Sequence, residues 1–391
     1  MDYIGTISRG IRGPIIRQGD DLATIAVDCL LNASKQGNFD IQDKDVFAVT
    51  EAVLGRSQGN YATVDQIAAD ISAKFGDETV GLIFPILSRN RFSLVLKAIA
   101  KGCKKLIVQL KYPGDEVGNS FVSAEKLMDS GVNPYTDVFT ADQFYTKFGD
   151  VRHTFTGVDY IDYYRKATDG AEVILANDPA EILKYTKYVI NADIHTRRQT
   201  KRILLNAGAT KVVSLDEILT KPVNGSGYND KYGVLGSNLA TQDSVKLFPR
   251  DGQAFVERVQ KLVEEKTGRH IEVMVYGDGA FKDPVGGIWE LADPVCSPAF
   301  TSGLNGKPNE IKLKYVADND LANLSGDEAV AKMQELIAHK QNDLTANILS
   351  QGTTPRQLTD LLASLCDLTS GSGDKGTPFI LVQNYFKNYS M

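Results

Sequence analysis

From about residue 80 to residue 215 the chain alternates between two textures, and this alternation limits the folds open to it more than any other feature. The runs "TVGLIFPIL", "KKLIVQL", "AEVILAND", "KYVINADIH" and "ATKVVSL" are apolar and short. Runs of that length bounded by polar residues read as buried strands. Between several of them lie stretches of helical period, such as "RFSLVLKAIAKG" and "TRRQTKRILLNAG", each ending in glycine before the next strand. Strand, helix, strand in repetition is the pattern of βαβ units and a largely parallel sheet. An irregular stretch rich in glycine and aromatic residues, 111 to 160, interrupts the pattern.

The flanks read differently. "GPIIRQGDDLATIAVDCLLNAS" predicts a strand, a turn and a helix capped by Asp20 or Asp21, with Leu22, Ile25, Ala26, Cys29 and Leu30 on one face. "DVFAVTEAVL" predicts a buried strand running into a polar turn that holds Arg56 and Gly59. "TKPVNGSGYNDKYGVLGSN" has the composition of a connector between domains. "QAFVERVQKLVEEKTGRH" predicts an amphipathic helix stopped by Gly268, and "IEVMVYG" a strand. "EIKLKYVADNDLANL" predicts a strand with a polar tip, "GDEAVAKMQELIAHK" a helix, and "FILVQNYF" a closing strand.

With 43 basic and 49 acidic side chains the formal charge is −6. Such a chain lacks the cationic excess with which a general nucleic-acid binder neutralises phosphates. Cys29, Cys103, Cys296 and Cys366 lie far apart with no CxxC pair, so neither a zinc site nor a disulfide framework is expected. No apolar run approaches the ~20 residues of a membrane helix, and "MDYIGTISRG" lacks a signal-peptide core. The expectation is a cytoplasmic protein acting on a small molecule.

Four segments carry candidate chemistry. In "VYGDGAFKDP" Asp278 follows a strand, where open α/β sheets place ligands. Hard cations such as Mg²⁺ or Mn²⁺ take oxygen ligands, which Asp278 supplies with Asp283 or Glu290. Gly277 and Gly279 allow the backbone to approach a phosphate. In "GSNLATQDS", Asn238, Thr241, Gln242, Asp243 and Ser244 gather side-chain oxygens. In "YVADNDLANL", Asp318 and Asp320 form an acidic pair whose repulsion a cation would relieve. Arg89 and Arg91 in "LSRNRFS", with Arg197, Arg198, Lys201 and Arg202 in "DIHTRRQTKR", make an anion site plausible at helix starts. Taken singly, each segment is equally a polar turn or a solvated helix surface. No Walker A or HExxH sequence is present.

In order along the chain, "GPIIRQGDDLATIAVDCL", "IQDKDVFAVTEAVLGRSQGN", "GVLGSNLATQDSVKLFPRDGQAFVERVQKLVEEKTGRHIEVMVYGDGAFKDP", "IKLKYVADNDLANLSGDEAVAKMQELI" and "GTPFILVQNYF" resemble the coenzyme F-420 γ-glutamyl ligase family, over roughly residues 10 to 80 and 232 to 385. The resemblance implies an α+β, two-part fold with an inserted or expanded α/β region of largely parallel sheet. The expected division is 1–85, 86–231 and 232–391, with the middle part the insertion and the last part holding metal and nucleotide.

It also implies a ligase that forms an acyl phosphate from a carboxylate acceptor and GTP, with Mn²⁺ or Mg²⁺, and then joins glutamate to it. A homodimer is implied as well. By position, Asp278 and Asp318 match metal-site acids. Gln242 stands where the family has an aspartate, with Asp243 one residue on. Ala52 and Arg56 stand in a loop where the family carries lysines, and Gly279 replaces a hydroxyl residue. Arg56 and Lys282 are the cationic candidates for the phosphates. Arg89, Arg91, Gly277, Gly279, Asn238 and Ser244 are the candidates for holding the nucleotide. The competing expectation is a non-catalytic relative that binds a nucleotide or phosphometabolite.

Overall fold

A computed structural model describes residues 3–89, 91–153, 156–278, 295–350, 357–371 and 374–388. The chain divides into two compact units. One comprises residues 1–16, 20–54 and 251–391, and the other residues 17–19 and 55–250.

The first unit is built on five strands in the order Ile7–Ile11, Phe379–Gln383, Val46–Thr50, Glu272–Asp278 and Val295–Phe300. Val46–Thr50 and Glu272–Asp278 run parallel, and the other neighbours are antiparallel. The three central strands are covered on both sides. Phe47, Val49, Val273, Val275, Phe379 and Leu381 face the helices Leu22–Gly37 and Gly252–Thr267, against Val27, Leu30, Val256, Val259 and Val263. Val46, Ala48, Met274, Tyr276, Ile380 and Val382 face the helix Leu358–Ser370, against Leu362, Ala363 and Cys366. Two covered faces explain why these strands are continuous apolar runs and not alternating ones.

Asp21 caps the Leu22–Gly37 helix through the Thr24 N–H, and Gly268 ends Gly252–Thr267 with a left-handed φ of 69°. Three expectations differ from what forms. The N-terminal strand is Ile7–Ile11, ahead of "GPII", where Pro14 has no N–H to offer a ladder. "EAVLGRS" is the helix Glu51–Ser57 and not a turn. "LKYVAD" is the helix Leu313–Asp318 and not a strand, with Val316 its buried residue.

The second unit contains a six-stranded sheet in the order Phe139–Thr140, Glu172–Leu175, Lys105–Leu110, Thr79–Ile83, Tyr188–Asn191 and Lys211–Ser214. All pairs are parallel except the short Phe139–Thr140 edge. Thr79–Ile83, the first strand of this sheet along the chain, is therefore central. The chain winds outward from it one way through Lys105–Leu110 and Glu172–Leu175, then returns and winds the other way. The helices Ser93–Gly102 and Arg197–Asn206 make two of the crossovers. A small antiparallel sheet joins Asn238–Leu239, Ser244–Lys246 and Tyr61–Thr63. No helix among the described residues is long and apolar enough to cross a membrane.

Candidate functional site

The parallel pair in the first unit brings two segments distant in sequence to one edge. Val46 pairs with Glu272 and Thr50 with Tyr276, so both strands end together. Beyond Thr50 stands Glu51, first residue of its helix and 4% exposed. Beyond Tyr276 stand Gly277 and Asp278. The Glu51 side chain lies against the Gly277 backbone so closely that a Cβ on Gly277 would collide with the Glu51 Cβ and Cγ. Glycine is thus required sterically, at a φ that does not itself demand it. A register shift between Val275 and Gly277 in the pairing with Val295–Phe300 falls at the same place. Irregularities of this kind re-aim side chains beside functional sites. The edge thus carries a buried carboxylate at the end of a parallel strand pair.

Asp278 closes its strand, and its side chain lies outside the described part of the structure, as do Gly279, Lys282, Asp283 and Glu290. Asp318 ends the Leu313–Asp318 helix and is exposed, as is Asp320.

In the second unit Asn238, Gln242, Asp243 and Ser244 share one hairpin. Asn238 pairs with Lys246, and Gln242 and Asp243 are exposed at the tip. The Thr241 hydroxyl donates to Asp243 Oδ1 at 2.7 Å and lies 2.5 Å from the Ser244 hydroxyl. The Asp243 carbonyl accepts the Val64 N–H at 2.9 Å, which ties the tip to the start of the Val64–Phe75 helix. Arg56, in the last turn of Glu51–Ser57, is exposed. Arg89 and Arg91 sit in the loop after Thr79–Ile83, Arg89 exposed and Arg91 half-buried. Among the described residues no group of three or more His, Cys, Asp or Glu side chains is gathered in a way that could hold a metal ion.

Two features went unread in the sequence. Glu51 was one, although an acid directly after the apolar run "VFAVT" is a local signal of the same kind as Asp278. The other is a buried polar knot in the second unit. Asn60 Nδ2 donates to the Phe248 carbonyl at 2.6 Å, and Asn229 Nδ2 donates to the carbonyls of Phe248 and Pro249 at 3.2 Å. Arg250 lies over the Tyr228 ring at 4.5 Å and bonds to Asn60 Oδ1. This knot fastens the "GSGYNDKYG" stretch to "LFPR" and so supports the hairpin that carries Gln242 and Asp243.

No curated protein matches the chain closely enough to count as a relative. The chain belongs to the F420-0:gamma-glutamyl ligase family, whose model matches residues 10–384, and ligase chemistry of the γ-glutamyl type is the activity that membership carries.

Proposed function

We propose that the protein is a nucleotide-dependent ligase that joins glutamate, or a similar amino acid, to a small carboxylate acceptor through an acyl phosphate. GTP is the expected phosphoryl donor. The observation that carries this reading is the packing of the buried Glu51 side chain against Gly277 at one strand edge, inside a family match that spans nearly the whole chain.

A carboxylate is a poor electrophile, because attack by an amine would have to expel oxide. Transfer of a phosphoryl group supplies a leaving group, and that transfer is promoted mainly by alignment and charge neutralisation. The edge suits this task. Gly277 leaves room for Glu51 to pack against the strand end, and Glu51 brings an acid that is out of water. Oxygen donors of this kind fit a hard divalent cation, Mg²⁺ or Mn²⁺, with Glu51 and Asp278 as holders. Bound there, such a cation would neutralise phosphate charge. Within the same unit Asp318 is a further candidate donor and Lys282 a candidate phosphate contact; on the second unit Asp243 and Gln242 are candidate metal donors, Arg56 a candidate phosphate contact, and Asn238 and Ser244 candidate nucleotide contacts. The acceptor's own carboxylate is the nucleophile of the first step, so no histidine base is needed there.

The test is to mix purified protein with GTP or ATP, Mn²⁺ or Mg²⁺, glutamate and a panel of small carboxylates, and to follow phosphate release and amide formation. Glu51→Gln is expected to lower kcat/KM about a hundredfold or more while leaving the melting temperature near that of the parent. A Glu51→Gln enzyme as fast as the parent would remove this edge from the mechanism. Nucleotide binding without turnover of any acceptor would favour the non-catalytic reading.

A further inference from the structure

Two neighbouring parallel strands of the six-stranded sheet, Lys105–Leu110 and Glu172–Leu175, begin at the same end. A groove of about 1090 Å³ lies there, lined from residues 97–106 and 166–172 and by Val64. Open α/β sheets take small ligands at the carboxyl ends of their strands, so this is the end they leave unused.

Five lysines line the groove, Lys97, Lys101, Lys104, Lys105 and Lys166, against two acids, Asp169 and Glu172. All five lysines are exposed. The whole chain has a formal charge of −6, so a cationic surplus at one place runs against its general character. Three of the lysines are answered from within the fold. Lys101 lies 2.7 Å from Asp65, Lys166 2.6 Å from Asp162 and Lys105 3.9 Å from Glu172. Lys101 and Lys166 also stand in the last turns of the helices Ser93–Gly102 and Tyr160–Ala167, where a cation suits the helix dipole. Neither reason covers Lys97 or Lys104, which have no hydrogen bond or ion pair among the described residues.

Seven of the ten residues of Ser93–Gly102 are buried, and the other three, Lys97, Ala100 and Lys101, all line the groove. Two lysines four residues apart on a helix repel each other. An anion laid along that strip relieves the repulsion. Leu106 and Ala171 are buried, and Ala100 and Ala167 half-buried, so apolar groups lie between the lysines and let a chain pack against the groove.

The lining discriminates among anions. Among the described residues it holds no arginine, the side chain that grips a phosphate with two bonds at once. It holds no aromatic ring on which a base could stack. Carboxylates spaced along a chain suit lysine's point charges. Lys97 and Lys101 are about 6 Å apart along the helix, and acids on alternate residues of an extended peptide recur about every 6.7 Å.

We propose that this groove docks an acidic segment of a partner protein, bound extended with carboxylates on alternate residues. Lys97 and Lys104 are the contacts that await it. The site is independent of the ligase reading, since every residue in it belongs to residues 55–250.

The experiment uses the full chain and a labelled peptide of four Glu-Ala repeats, with a Gln-Ala peptide as control, at about 0.15 M salt. Fluorescence anisotropy gives the affinity. Carbodiimide coupling and mass spectrometry show which lysines the peptide reaches. The Glu-Ala peptide is expected to couple at Lys97 or Lys104 and to bind at least about tenfold more tightly than the control. Lys97→Glu combined with Lys104→Glu should weaken binding about tenfold or more at an unchanged melting temperature. Lys332→Glu, in the other unit, should leave it as it was. Should the double reversal not fold, Lys97→Gln with Lys104→Gln decides in the same way. Three results overturn the proposal: no binding of the Glu-Ala peptide, binding undiminished in the folded double variant, or tighter binding of polyphosphate, single-stranded DNA or anionic vesicles through the same lysines.

Discussion

Asn60 is fully buried, and its one amide serves three partners in two chain segments. It donates to the Phe248 carbonyl and accepts from the Tyr228 N–H at 2.9 Å and from the Arg250 guanidinium. Replacing it with alanine leaves the Tyr228 N–H and one N–H of the Arg250 cation without this acceptor, while the Phe248 carbonyl keeps the Asn229 amide. Each buried orphan costs about 1–3 kcal/mol. Arg250 keeps its bond to the Tyr228 carbonyl and its place over the ring, which limits the loss. Asn60→Ala is therefore expected to cost about 2–4 kcal/mol in urea unfolding, with the m-value unchanged. Asp193 offers a test by pH. Burial alone would raise its carboxyl, but the Lys111 charge and the Thr196 and Thr200 hydroxyls, at 2.6 and 2.5 Å, outweigh burial and leave it below the usual carboxylate range. The folded protein then holds this proton less tightly than the unfolded chain does. The stabilisation is complete above the unfolded value of about 3.9 and is lost as pH falls through the lower folded value. Asp193→Asn should cost about 2 kcal/mol near neutrality. The gap to the parent should close only on the acid side, below about pH 4, in unfolding curves taken across pH.

Ser93–Gly102 packs on Val64–Phe75 through its last residue. A Cβ on Gly102 would stand 2.7 Å from the Ala68 carbonyl oxygen and 2.8 Å from the Ile71 Cβ. Alanine at a helical glycine gains at most about 1 kcal/mol of propensity. Forcing a methyl group into a closed crossing costs about 1–3 kcal/mol, and here one of the colliding atoms is backbone and cannot rotate away. Gly102→Ala is expected to lower stability by about 1–2 kcal/mol, and a raised melting temperature would show that the helices can part freely. Elements of this sheet were legible because fully buried strands and amphipathic helices differ in both length and period. Leu313–Asp318 was not, because "IKLKYV" alternates apolar and polar residues as a strand would, while only Val316 is buried. Glu51–Ser57 was hidden by Gly55, a poor helix former that is held where the Leu247 carbonyl passes 3.2 Å from its missing Cβ. The candidate site divides along the same line. Asp278 at a strand end is a local signal. The company of Glu51 is not, because it depends on the parallel register of two strands more than 200 residues apart.

At the scale of the whole molecule the two units differ in how their sheets use the chain. Every strand of the second unit's two sheets lies between Tyr61 and Lys246, and the Asn60–Arg250 knot closes the same span. The first unit's sheet instead interleaves chain ends. Val46–Thr50 lies between Phe379–Gln383 and Glu272–Asp278, so neither 1–54 nor 251–391 holds a complete core. Without Val46–Thr50 the facing edges of its two neighbours are open, and the pockets for Phe47 and Val49 on one face and Val46 and Ala48 on the other are empty. Open edges beside apolar faces favour aggregation. Residues 55–250 expressed alone are therefore expected to melt cooperatively, with the circular dichroism of a mixed helix and sheet protein. Residues 251–391 alone are expected to show no cooperative transition, and co-expression with residues 1–54 to restore one. A fragment 55–250 that fails to fold would mean that Arg17–Gly19, through the Gly19 N–H to the Ser57 carbonyl at 2.8 Å, contributes more than one hydrogen bond's worth. A fragment 251–391 that folds by itself would show that the central strand is dispensable, against the reading of this sheet as one cooperative core.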